Sequence, residues 1–266
     1  ADGNYRGKLA AVVDNGQIYV STDSGANWTA RESVRNWNSV AISTNGQMLA
    51  ASVFRGKIYV STNAGSTWDA RDSDRTWRSV AISTNGAVMA AVANGGQVYV
   101  SQDSGTNWTA RATAQLWTSV AVSADGSKMV ASVYGGTLYT SADKGTNWTS
   151  VASPRLWNSV ASSPDGVKLV ATEVQGSIWM SADSGATWVA NTAAGTNRNW
   201  STVAMSADGS RLLAGVTGGK LYRSLDGGVS WKEVAGSNSA WSGIAGSLDL
   251  KKVIVAVDGV GLSTSV

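Results

Sequence analysis

Apolar and polar residues alternate along most of the chain with a period of two. Examples are Ile18-Tyr19-Val20-Ser21, Ile58-Tyr59-Val60-Ser61 and Trp37-Asn38-Ser39-Val40-Ala41-Ile42-Ser43. This alternation predicts short β-strands, and no stretch carries the spacing of an amphipathic helix. Turn-forming pairs punctuate the runs: Asn45-Gly46, Asn85-Gly86, Asp125-Gly126, Asp165-Gly166 and Asp208-Gly209 after one strand, then Gly95-Gly96, Gly135-Gly136 and Gly218-Gly219 after the next. Such pairs adopt positive φ readily, which tight hairpins require.

The pattern repeats. Trp37, Trp77, Trp117 and Trp157 are spaced by 40 residues, and Trp200 and Trp241 follow at intervals of 43 and 41. Each unit reads as four short strands joined by hairpins. The expected fold is therefore all-β: a single β-propeller domain over residues 1–266, built of four-stranded antiparallel blades. Helical repeat arrays of similar length do not fit a period of two. Thirteen Trp against one Phe is the skew left when a Trp is copied with its repeat, and 30 Gly against 2 Pro suits many tight turns. Six first strands, seven second, seven third and six fourth can be placed. Seven blades is the expectation, with the absent fourth and first strands falling upstream of Ala1, on a segment outside this sequence or on a partner. Ala1-Asp2-Gly3 matches the turn that follows a first strand. Six blades is the alternative, with Trp241–Ser247 completing the opening blade and Lys252–Val266 left as a surplus pair of strands.

Between third and fourth strands the sequence resembles the Asp-box (BNR) repeat family, whose motif is Ser-x-Asp-x-Gly-x-x-Trp. It stands here as Ser21-Thr22-Asp23-Ser24-Gly25-Ala26-Asn27-Trp28. It recurs around Asp103, Asp143, Asp183 and Asp226, and a sixth copy has Asn63 in the Asp position. The resemblance implies a structural role for these six residues, tying the hairpin turn while the Trp packs inside the blade. The blade pattern is also similar to that of the seven-bladed assembly factors of photosynthetic membranes.

Linkers between blades carry a recurring Arg-x-Trp: Arg35/Trp37, Arg75/Trp77, Arg155/Trp157 and Arg198/Trp200, with Gln115 before Trp117 and Ser239 before Trp241. The Trp residues are expected around the mouth of a central channel. These ten residues are the candidate ligand-binding set. An indole face stacks on a sugar or a cation, and a guanidinium donates in a fork to carboxylates or hydroxyls. The structural alternative wedges each Trp between blades, with Arg stacked on it or paired with Glu32, Asp72 or Asp74.

Composition narrows the chemistry. There is no Cys and no His, which removes thiolate chemistry and the commonest metal ligand and general base; no metal site or cofactor is expected. A net charge of +3 without a basic run argues against nucleic acid, and no apolar run is long enough for a membrane span. Asp-box propellers include glycosidases, which need two opposed carboxyl groups. Here nine of the 15 Asp belong to repeated turns, while Asp14, Asp249 and Asp258 stand isolated near turns. The sialidase Arg-Ile-Pro segment is absent. The expectation is a non-catalytic, secreted, lectin-like propeller that binds glycans through several sites. The alternatives are a protein-interaction or assembly scaffold, a subunit of a larger assembly, and a glycoside hydrolase.

Overall fold

The structure is a computed structural model; it describes residues 7–234, 239–247 and 249–257, and the backbone of 261–265. The turn expected at Ala1-Asp2-Gly3 and the carboxylate of Asp258 lie outside the described residues. Every described element is a β-strand, and every pairing given is antiparallel. By compactness the chain forms two units, one running to Met129 plus Ser141–Trp148, the other comprising Val130–Thr140 and the chain from Thr149 onward.

In the first unit, β1 (Leu9–Val12), β2 (Gly16–Ser21) and β3 (Thr29–Arg35) form a three-stranded sheet. They are followed by β4 (Trp37–Ile42), β5 (Leu49–Ser61), β6 (Asp69–Ile82), β7 (Met89–Ser101) and β8 (Thr109–Val122). Strands expected as separate are fused. β5 holds the second and third strands of one blade, and β6 holds the fourth strand of that blade and the first of the next. The register shows why β6 runs unbroken through the linker. Val60, Tyr59 and Ile58 face Asp69, Ala70 and Arg71; after a bulge Gly56 faces Arg75, and Trp77 then faces Ala93 of the next blade. The bulge is held by a left-handed residue, Glu32 at φ 59°, Asp72 at 55° and Ala112 at 56° in successive copies. The linkers are thus bonded to the hairpin turn of the preceding blade.

Burial is highest in the second and third strands of a blade. Leu49, Ala50, Ala51, Ser52 and Val53 are all buried, whereas Asp69 and Ala70 of the fourth strand are exposed. Inner strands are covered on both faces by neighbouring blades, so they read as continuous apolar runs of small residues, not as alternation. Adjacent blades are also stitched by polar contacts: the Thr84 N–H donates to Ala124 O (2.8 Å) and Asn38 Nδ2 to Trp77 O (2.5 Å).

In the second unit, which holds β9 (Met129–Ser141) except its two end residues, β9 pairs with β10 (Thr149–Ser162). β10 continues to β11 (Leu169–Gly176), β12 (Ile178–Ser181) and β13 (Val189–Asn191). A further blade contains β14 (Arg198–Met205), β15 (Leu212–Val216), β16 (Leu221–Ser224) and β17 (Lys232–Glu233). The last sheet is β18 (Trp241–Gly246), β19 (Val253–Val257) and β20 (Gly261–Ser265). The strand opened by Trp241 therefore pairs with Val253–Val257, which lie among the residues that the six-bladed alternative leaves surplus.

Candidate functional site

The Asp-box turns are built by local hydrogen bonds. Ser21 Oγ donates to Asp23 Oδ1 (2.8 Å), and the Gly25 N–H donates to Ser21 Oγ (2.8 Å). The backbone N–H and side-chain amide of Asn27 donate to the two Asp23 oxygens, each at 2.8 Å. Trp28 Nε1 closes the turn on Gly25 O (3.1 Å). Asn63 reproduces the arrangement without charge, accepting from Thr67 N and donating to Thr67 Oγ1. Hydrogen bonds from the residue four places on, then from the Ser, hold the Asp23, Asp103, Asp143, Asp183 and Asp226 carboxyls down at about 2. Carboxylates tuned downward in this way are the opposite of the raised-pKa acid that glycoside hydrolysis uses.

Asp249, expected as an isolated carboxylate, belongs to a turn too. Ser247 Oγ donates to it (2.5 Å) and so does the Lys251 N–H (3.1 Å), as in the Ser43/Asn45 turn. The Ser-x-Asp spacing after a first strand was the available signal; Leu250 in the left-handed place (φ 47°) obscured it.

The six repeated Trp residues are in the core. Trp77, Trp117, Trp157 and Trp200 are wholly buried, Trp37 is 1% exposed and Trp241 9%. Stacking of these indoles on a ligand, expected from the sequence, therefore lacks an accessible face, and their role is the wedging of blades. Trp37 Nε1 donates to Ser33 O (3.2 Å), Trp117 Nε1 to Thr113 O (3.3 Å) and Trp157 Nε1 to Ser153 O (3.3 Å), carbonyls of the bulged linker.

The arginines stand differently. Each lies over an aromatic ring of the third strand of the following blade: Arg35 over Tyr59 (4.7 Å), Arg75 over Tyr99 (4.2 Å), Arg155 over Trp179 (4.1 Å) and Arg198 over Tyr222 (4.3 Å). That ring meets the buried Trp edge-on, at 5.0 Å for Trp37–Tyr59 and Trp77–Tyr99, 5.9 Å for Trp157–Trp179 and 5.4 Å for Trp200–Tyr222. Guanidinium, third-strand ring and buried indole thus form one stack in each copy, two copies per unit. Arg35 is 3.5 Å from Glu32, Arg75 3.5 Å from Asp72 and Arg155 3.2 Å from Glu173. Arg198 donates to the Tyr222 hydroxyl, which donates in turn to Glu233 (3.1 Å). About a third of the Arg35, Arg75 and Arg155 side chains faces solvent (37, 33 and 34%). The guanidiniums are held in place by ring and acid, on side chains that remain partly exposed. Among the described residues no group of acidic side chains is arranged to hold a metal ion, and no helix is long and apolar enough to cross a membrane.

Blades of this register, closed by Asp-box turns and carrying aromatic-backed arginines at their linkers, define an Asp-box β-propeller. Residues 4–162 match the family model described as the photosynthesis system II assembly factor YCF48, and the chain belongs to that family. Solved structures agree on the fold. "YCF48 bound to D1 peptide" is 19% identical, with a TM-score of 0.74 over 97% of this chain and 89% of that one. YCF48 from Cyanidioschyzon merolae is 18% identical, with the same score over 97% and 90%. A GH74 xyloglucanase from Xanthomonas campestris is 19% identical, at 0.78, over 99% of this chain but 50% of its own. No curated protein sequence matches.

Proposed function

We propose that this protein is a protein-interaction propeller that docks an acidic segment of a partner through the linker arginines, as a factor in assembling a larger complex. The observation that carries the reading is the stack of arginine on aromatic on buried Trp, recurring at Arg35, Arg75, Arg155 and Arg198. A guanidinium pre-positioned on a ring loses little entropy on binding a carboxylate, and Arg on aromatic support is the composition of interface hot spots. Membership of the YCF48 family supports the same direction, as does a similar protein solved with a peptide bound. The carbohydrate reading drew on the indole faces of the six Trp, and their burial takes away its physical basis.

The test is calorimetric titration with a Glu/Asp-rich dodecapeptide and its Gln/Asn counterpart. Wild-type protein should bind the acidic peptide alone, with affinity falling as salt rises. The pairs Arg35→Ala/Arg75→Ala in one unit and Arg155→Ala/Arg198→Ala in the other should each weaken binding at that unit's own linkers about tenfold or more while the protein stays folded. Equal binding of the neutral peptide, or indifference to both pairs of substitutions, would refute the reading.

A further inference from the structure

One linker breaks the pattern at several positions together. In the first two linkers the left-handed residue is an acid three places before the arginine, Glu32 before Arg35 and Asp72 before Arg75, and each pairs with it. At Arg155 that position is Ala152, with the same backbone (φ 62°). The acid has moved to the opposite wall: Glu173 stands where the other second strands have Val53, Ala93 and Val216 opposite their Trp. It draws Arg155 to 3.2 Å and accepts from Trp179 Nε1 at 2.9 Å. Trp179 replaces the Tyr of the other stacks. Ala186 stands where the three preceding Asp-boxes have Ser66, Thr106 and Thr146. The result is a cleft of about 140 Å³ lined by Ala152, Ser153, Arg155, Trp157, Trp179, Ala186 and Trp188.

We infer that this cleft is an anchor pocket for a single aromatic side chain of a partner protein, followed in the partner by an acidic residue. The inference rests on the protein-interaction reading and gives it a specific site. Size selects the occupant: small-molecule pockets run from about 300 Å³ upward, whereas a cavity of about 150 Å³ holds one benzene ring. Chemistry narrows it further. Trp179 meets the Trp157 ring edge-on at 5.9 Å and Trp188 meets it at 6.5 Å with a 48° tilt, an arrangement that receives another ring edge-on. Glu173 neutralises one edge of Arg155 within the wall, and the solvent-facing third of that side chain is left for a carboxylate at the cleft mouth. Each methyl occurs in another copy, at Ala112 and at Ala26, but here two alanines, Ala152 and Ala186, line one cleft, where the preceding blades combine Glu32 with Ser66, Asp72 with Thr106 and Ala112 with Thr146.

Two variants close the cleft by restoring residues used elsewhere in the chain. Ala152→Glu copies Glu32, which holds the same left-handed backbone at φ 59°; Ala186→Thr copies Thr146. A random dodecapeptide library is selected on the full chain, and the recovered peptides are measured against both variants, with unfolding midpoints as the folding control. Expected are peptides sharing an aromatic residue followed by Asp or Glu, bound at least about tenfold more weakly by each folded variant. Peptides bound equally by wild type and variants would overturn the pocket and leave the interaction reading standing. Failure to recover any peptide would overturn both. Quenching of Trp fluorescence by xyloglucan oligosaccharides that disappears in Ala152→Glu would overturn the pocket in favour of a sugar site.

Discussion

If the repeated indoles are architecture, Trp77 and Trp37 should respond to truncation as core residues, and to Phe in different ways. Trp77 is fully buried among Ala50, Ile58, Val60, Val80, Met89, Ala91, Ala93 and Tyr99. Trp77→Ala empties that site, at a cost of about 3–5 kcal/mol. For a chain of this size that lowers the melting temperature by roughly 6–20 °C. Trp77 Nε1 has no hydrogen-bond partner, so Trp77→Phe loses packing alone, about 1–2 kcal/mol. Trp37→Phe leaves Ser33 O without its donor and costs about 1 kcal/mol more. Guanidinium unfolding followed by near-UV circular dichroism measures all three. Trp77→Ala within about 1 kcal/mol of wild type would refute the buried-wedge account, as would Phe variants ranked in the reverse order.

Acid should unfold the protein through its Asp-boxes. With folded pKa values near 2 against an ordinary 3.8, these carboxylates contribute stability that is complete above about pH 4 and is lost as pH falls toward 2. The melting temperature should therefore be flat near neutrality and drop below pH 4. Asn63→Asp should steepen that drop, and an unchanged profile would count against the turn geometry. Glycines should separate by surroundings: Gly95→Ala meets only the positive-φ penalty (φ 72°, nothing within 4 Å), about 1 kcal/mol. Gly105→Ala adds a clash with Val60 Cγ2 at 2.8 Å and Met89 Sδ at 3.0 Å, about 2–4 kcal/mol in total. Equal midpoints for the two in chemical denaturation would contradict the inter-blade packing.

The parts legible in the sequence were those made by local contacts. Ser21, Asp23 and Asn27 form their turn within seven residues, so the motif and the structure coincide. The Ser43–Gly46 turns and the strand order followed from the same kind of signal. What escaped were contacts between repeats. Whether Trp37 faces solvent or core depends on the preceding blade's linker, and no local pattern reports that. Arg35 finds its support on Tyr59, 24 residues on. A constant interval of 22 residues from Trp37 to Tyr59, Trp77 to Tyr99, Trp157 to Trp179 and Trp200 to Tyr222 was the available clue. The exchange of acid between Ala152 and Glu173 was invisible because each change is unremarkable alone, and only the register places them on facing walls.

The most direct measurement is a hydrogen–deuterium exchange map of the full chain with and without a selected acidic peptide. Docking through the linker arginines predicts added protection over residues 31–36, 71–76, 151–157 and 195–200, with the Asp-box turns at 21–28, 101–108 and 181–188 little changed. Protection concentrated on the Asp-box turns, with the linkers exchanging as in the free protein, would contradict it.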